Sequence, residues 1–140
     1  MSKVLVVANH SFDREAVKVQ LVELGICADD IWLFDDGEEA MDILEAGLAI
    51  NLMLVDGGLV KFGSAMCAGP TLIYKIRKKF SQVPILILSD DPEAIARAKE
   101  AGANGAVSCY NIADDLGQIL PDITQRKKRN RKIQEGYTRI

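Results

Sequence analysis

Short apolar runs rich in β-branched residues alternate with helix-patterned segments through nearly the whole chain, and few architectures accept that alternation. It is the signature of repeated strand–helix units wound around a parallel sheet. Five runs read as strands: Lys3 to Ala8, Ile31 to Phe34, Leu52 to Val55, Ile85 to Leu88 and Ala106 to Ser108. The first, third and fourth are continuously apolar, which suits strands buried on both faces. Those three are expected at the centre of the sheet.

The intervening segments carry helix signals. Ser11 can cap a helix in which Val17, Leu21 and Leu24 recur on one face, and Gly25 stands where a left-handed C-cap would. Gly37 to Ala46 reads as a second helix. A third has Pro70 in its first turn and presents Leu72, Ile73, Ile76 and Phe80 together. A fourth runs from Pro92 to Ala101 and closes on Gly102. A fifth begins near Ile112, with Leu116, Ile119, Leu120 and Ile123 as its apolar face and Pro121 inside the pattern.

At 140 residues, 49% of them hydrophobic and 26% charged, the chain suits one domain able to bury a core without disulfides or metal. No segment approaches the ~20 apolar residues that span a bilayer, and Met1 to Ala8 is too short for a signal peptide. A cytoplasmic protein without a membrane partner is the expectation. Cys27, Cys67 and Cys109 are odd in number and lack metal-ligand spacing, so free thiols are expected. The net charge of -3 conceals an asymmetry. The stretch 126–140 holds seven basic residues and one acid, so it reads as a basic tail or linker after a domain covering residues 1–125. Such a run either binds nucleic acid or an acidic partner, or is simply solvated.

Local wording narrows the fold. Lys3-Val4-Leu5-Val6-Val7 is similar to the first strand of a response-regulator receiver domain, and Asp36-Gly37-Glu38-Glu39-Ala40-Met41 to its second-helix entry. Asn51 to Asp56 resembles the third strand ending in the phosphoacceptor, Val83 to Ser89 the fourth strand ending in the switch hydroxyl, and Ala101-Gly102-Ala103-Asn104-Gly105 the turn into the fifth strand. The resemblance covers about residues 3 to 120. It implies an α/β, flavodoxin-like (CheY-like) doubly wound fold: a five-stranded parallel sheet of order 2-1-3-4-5 with helices on both faces.

In that family, the resemblance implies, a carboxylate after the third strand accepts a phosphoryl group with magnesium held by an acidic pair after the first. A hydroxyl after the fourth strand and a lysine after the fifth assist. Carried over by position, Asp56 fills the phosphoacceptor place and Ser89 the hydroxyl place. The acidic pair falls on Ala8 and Asn9, the lysine on Cys109 with Tyr110 where a proline is usual, and Ala106 replaces a common aromatic. Asp90, next to Ser89, adds a negative charge where a small residue normally admits phosphate, while Asp90 or Asp91 is an alternative source of a metal ligand. The segment after Asp56, beginning Gly57-Gly58, is about five residues longer than usual.

The Mg²⁺ site therefore reads as dismantled, with no cofactor and no confident catalytic residue. The leading expectation is an atypical receiver, or pseudo-receiver: not an enzyme, but a phosphorylation-independent interaction module in bacterial signal transduction. By family analogy it contacts a signalling partner, such as a histidine kinase or output domain, through the fourth helix, fifth strand and fifth helix. The alternative is a functional receiver phosphorylated on Asp56 by a histidine kinase.

Overall fold

The five apolar runs pair into one parallel sheet. A computed structural model of the chain describes residues 3–8, 11–57, 68–108, 111, 112 and 114–117. In chain order the elements are β1 (Val4–Val7), α1 (Ser11–Glu23), a 3₁₀ turn (Ala28–Asp30), β2 (Ile31–Phe34), α2 (Gly37–Glu45), β3 (Leu52–Asp56), α3 (Ala68–Lys79), β4 (Ile85–Leu88), α4 (Pro92–Ala101) and β5 (Gly105–Val107). Residues 112 and 114–117 are also helical. The sheet order is β2-β1-β3-β4-β5, every neighbouring pair being parallel. β1, β3 and β4 are central, as their unbroken apolar character predicts.

Alternation along the strands divides the core into two layers. Val4 and Val6 of β1, Leu52 and Leu54 of β3, and Leu86 and Leu88 of β4 turn toward Val17 and Leu21 of α1 and toward Ile112 and Leu116. Leu5, Val7, Met53, Val55, Ile85 and Ile87 turn the other way, onto Ala40 and Leu44 of α2, Leu72, Ile73 and Ile76 of α3, and Ala98 of α4. Helices on both faces result because each central strand is apolar at every position.

The helix ends carry their expected punctuation. Asp36 caps α2 by accepting a hydrogen bond from the Glu38 N–H at 2.9 Å. After α1 and α4 the chain turns at Gly25 (φ 98°) and Gly102 (φ 120°), a region where L side chains are strained. α1 starts at Ser11 itself, so this residue lies inside the helix boundary rather than before it. β5 is displaced by one residue from the expected Ala106 to Ser108, because Leu86 pairs with Gly105 and Leu88 with Val107. Beyond Gly117, the expected remainder of the fifth helix lies outside the described residues, as do Pro121 and the basic tail. Among the described residues no helix is long and apolar enough to cross a membrane.

Candidate functional site

In an open doubly wound sheet the ligand crevice forms at the carboxyl ends of the strands, where the winding reverses direction. Here β1 is flanked on one side by β2 and on the other by β3, so the reversal lies between β1 and β3. The residues at those carboxyl ends are Ala8 and Asp56.

Asp56 is the last residue of β3, paired with Leu88 of β4. Gly57 continues the ladder by donating its N–H to the Leu88 carbonyl at 2.9 Å. That contact draws the chain after β3 tightly against Ser89: a Cβ at Gly57 would stand 2.9 Å from Ser89 Cβ and 3.2 Å from its Oγ. The phosphoacceptor-equivalent and hydroxyl-equivalent residues are thus brought to adjoining strand ends. The start of α3 closes in from the other side, since a Cβ at Gly69 would lie 2.9 Å from the Asp56 carbonyl oxygen. Glycine at both positions permits backbone approaches that a side chain would prevent.

Ser89 is half-buried, and its Oγ accepts a hydrogen bond from the Asp91 N–H at 3.0 Å. Asp91 in turn caps α4 by accepting from the Glu93 N–H at 3.1 Å. Asp90, between them, is exposed. The hydroxyl is therefore built into the entry of α4 as an acceptor.

Ala8 is 1% exposed and extends β1 by one rung, its N–H donating to the Phe34 carbonyl at 2.9 Å. Its carbonyl accepts a 2.7 Å hydrogen bond from Nη1 of Arg14, which reaches back from the first turns of α1. In the sequence this guanidinium looks like one of many charges on a helix face, and sequence reasoning misses it. The one readable signal is an arginine six residues after a strand end. At the far end of the edge, the Ser108 N–H donates to Asp115 Oδ2 at 2.9 Å, and Asn111 and Asp115 close the turn after it. Asp115 escapes sequence reasoning for the same reason. Asn9, His10, Cys67, Cys109 and Tyr110 lie outside the described residues, as does the long segment 58–67.

The family's magnesium ion can be tested against this donor set. Mg²⁺ takes oxygen ligands in near-octahedral geometry. Ala8 has no side-chain donor, and its backbone oxygen is already held by Arg14. Among the described residues no group of three His, Cys, Asp or Glu side chains could hold a metal ion. The described residues do not fit magnesium.

The sequence matches no protein-family model and no curated protein. Solved structures match it over most of its length. The signal receiver domain of an HD domain-containing protein from Pseudomonas fluorescens Pf-5 superposes with a TM-score of 0.74, covering 94% of this chain and 92% of that one at 19% identity. The receiver domain of NtrX from Brucella abortus gives a TM-score of 0.74 over 88% of this chain and 98% of that one, at 20% identity. The chain has the receiver-domain fold. A third receiver-like neighbour is the N-terminal domain of a response regulator/sensory box/GGDEF three-domain protein from Carboxydothermus hydrogenoformans, with a TM-score of 0.72, 21% identity and coverage of 92% and 98%. Against the longer NtrX structure the TM-score is 0.77 at 21% identity, but this chain spans only 29% of that one. With the receiver fold in place, Ala8, Asp56 and Ser89 occupy the strand ends to which the sequence resemblance assigned them.

Proposed function

We propose that the chain is an atypical receiver, a cytoplasmic interaction module of bacterial signal transduction that works without a phosphorylation cycle and turns over no substrate. The observation that carries this reading is Ala8, a buried residue without a ligand atom at the strand end facing Asp56. Phosphoryl transfer to a carboxylate concentrates negative charge, and catalysis depends on cations placed to neutralise it. Arg14 brings one positive charge toward this edge, but a monovalent guanidinium anchored to a carbonyl does not replace a divalent ion coordinating both partners.

The partner in this reading is a signalling protein, a histidine kinase or an output domain, and the contact surface is α4, β5 and the helix after it. Nucleic acid enters only through the basic run 126–132. A second reading, Asp56 as a working phosphoacceptor, is favoured by the close approach of the Asp56–Gly57 backbone to Ser89.

Incubation with acetyl phosphate, or with beryllofluoride, in the presence of Mg²⁺ separates the two. No adduct is expected by intact mass, and Asp56→Asn is expected to keep both the fold and partner binding. An adduct on the parent protein that disappears in Asp56→Asn would establish the second reading instead.

A further inference from the structure

The charge asymmetry of the chain has a spatial counterpart. Between Lys18 and Lys61 the sequence has ten acidic residues and no lysine or arginine. This stretch supplies β2, an edge strand of the sheet, together with the turn before it and α2 after it. Helices that return between parallel strands end at the amino edge of the sheet. Glu23 closes α1 there, Asp29 and Asp30 form the 3₁₀ turn leading into β2, and Asp42 and Glu45 lie in the last turns of α2. Among the described residues, the ion pair at this edge is Lys79 with Glu45 at 2.8 Å. Glu23, Asp29 and Asp30 form no ion pair among those residues, whereas Asp42 lies beside Lys75, Lys78 and Lys79.

The chain leaves the described body at the same place. The helical residues after β5 are described as far as Gly117, which packs beside Leu24, where a Cβ would stand 3.8 Å from Leu24 Cδ2. Leu24 is the residue after Glu23 and precedes Asp29 by five residues. Arg126 is nine residues beyond Gly117, and nine residues cannot carry it farther than about 30 Å from that point in any conformation. The segment 126–132 then delivers six basic residues out of seven.

We propose that this basic segment docks back onto its own chain at the acidic flank of β2, against Glu23, Asp29 and Asp30, away from the basic end of α3 at Arg77, Lys78 and Lys79. Exposed ion pairs are individually weak, but tethering makes the contact intramolecular, at an effective concentration on the order of millimolar for a short linker. Opposed clusters also act together where single pairs do not. A partner that takes the basic run must then displace it from the acidic edge, and a partner that takes that edge must release the basic run. The inference is independent of how Asp56 is used.

Cys27 is exposed two residues before Asp29, which makes it a reporter position. The experiment attaches a nitroxide to Cys27 in full-length protein carrying Cys67→Ser and Cys109→Ser, and reads paramagnetic loss of amide signal at residues 126–132. At about 0.02 M salt, where charges act over more than 20 Å, these amides are expected to lose more than about half their intensity; at about 1 M salt, where screening is complete within ~3 Å, they recover. Recovery is also expected at low salt in Glu23→Gln/Asp29→Asn/Asp30→Asn. A mixture of spin-labelled chain with isotope-labelled, unmodified chain should show no loss. Undiminished signals at low salt would end the proposal, as would a loss that survives neutralisation of the three acids. Equal loss in the mixture would reassign the contact to a second copy of the chain.

Discussion

Arg77 ties several separate elements together, and its replacement should cost stability out of proportion to its exposure. It lies near the end of α3, half-buried, where a charged residue would ordinarily point into water. Its Nε donates to the Gly102 carbonyl at 2.7 Å, Nη1 to the Phe80 carbonyl at 3.1 Å and Nη2 to Asn104 Oδ1 at 2.6 Å. Asn104 Oδ1 also accepts from the Ile85 N–H at 2.8 Å, and the Asn104 N–H donates to the Ile85 carbonyl at 2.7 Å. One guanidinium thus links the end of α3, the C-cap of α4 and the entries of β4 and β5. Burial lowers the pKa of Arg77 from its ordinary value, yet an arginine keeps its charge at any pH where the domain is folded.

The magnitude is set by opposing effects. Hydrogen bonds from a charged donor contribute about 1.5–3 kcal/mol each when removal leaves the partner unsatisfied. Three that share one partly exposed side chain do not add, and fixing an arginine costs up to about 2 kcal/mol of rotamer entropy. A net loss of about 2–3 kcal/mol is expected for Arg77→Met, which preserves the stem that packs against Gly102. For a domain of this size that corresponds to a fall in Tm of roughly 10 °C. Urea denaturation followed by circular dichroism should show a lower midpoint at unchanged slope. Arg77→Lys keeps the charge without the fork and should recover less than half of the loss. A double-mutant cycle with Asn104→Ala should give a coupling of at least about 0.5 kcal/mol. A Met variant within about 0.5 kcal/mol of the parent, or a Lys variant equal to it, would refute the clamp.

Two further comparisons probe the core and the site. Leu54→Ala empties a fully buried position on β3 and should cost about 2–5 kcal/mol by urea denaturation, whereas Val22→Ala, 43% exposed on α1, should change stability by less than about 0.5 kcal/mol; similar values for the two would contradict the layer assignment. Gly57→Ala places a Cβ 2.9 Å from Ser89 Cβ, an overpacking expected to cost about 1–3 kcal/mol and to be partly relieved by Ser89→Gly; a neutral Gly57→Ala, read by thermal melting, would mean that the two strand ends are not in contact.

The fold was legible because its signals are local and repeat. β2, β4 and α4 have the limits that their composition indicates: Pro84 precedes β4, and Asp91 and Gly102 cap α4. Gly25 and Gly102 adopt the positive φ that a C-cap requires. The misses have local causes too. The 3₁₀ turn Ala28–Asp30 is too short to show a period, and Gly105-Ala106-Val107 has little β preference of its own, so pairing with β4 sets its register. β3 extends to Asp56 because its backbone continues to pair with Leu88 after the apolar pattern ends. Side-chain tethers spanning elements were not legible. Neither Arg14 nor Arg77 differs by sequence from a solvated helix charge, and only the tertiary placement of a carbonyl gives each its partner.

The division between fold and chemistry also has a physical basis. Both core layers draw on residues inside the strands, Val4 to Val7, Leu52 to Val55 and Ile85 to Leu88, while Ala8, Asp56 and Ser89 sit one position beyond, at the carboxyl ends. Ala8 illustrates the consequence. At 1% exposure an aspartate there would be a buried charge facing Asp56 across the β1–β3 pair, and without a metal ion the two carboxylates would repel. Alanine removes that repulsion, keeps the backbone bond to Phe34 and leaves its carbonyl free to accept from Arg14. An uncharged residue at this strand end is therefore compatible with the fold, because the backbone bonds that hold the edge do not depend on the side chain at position 8.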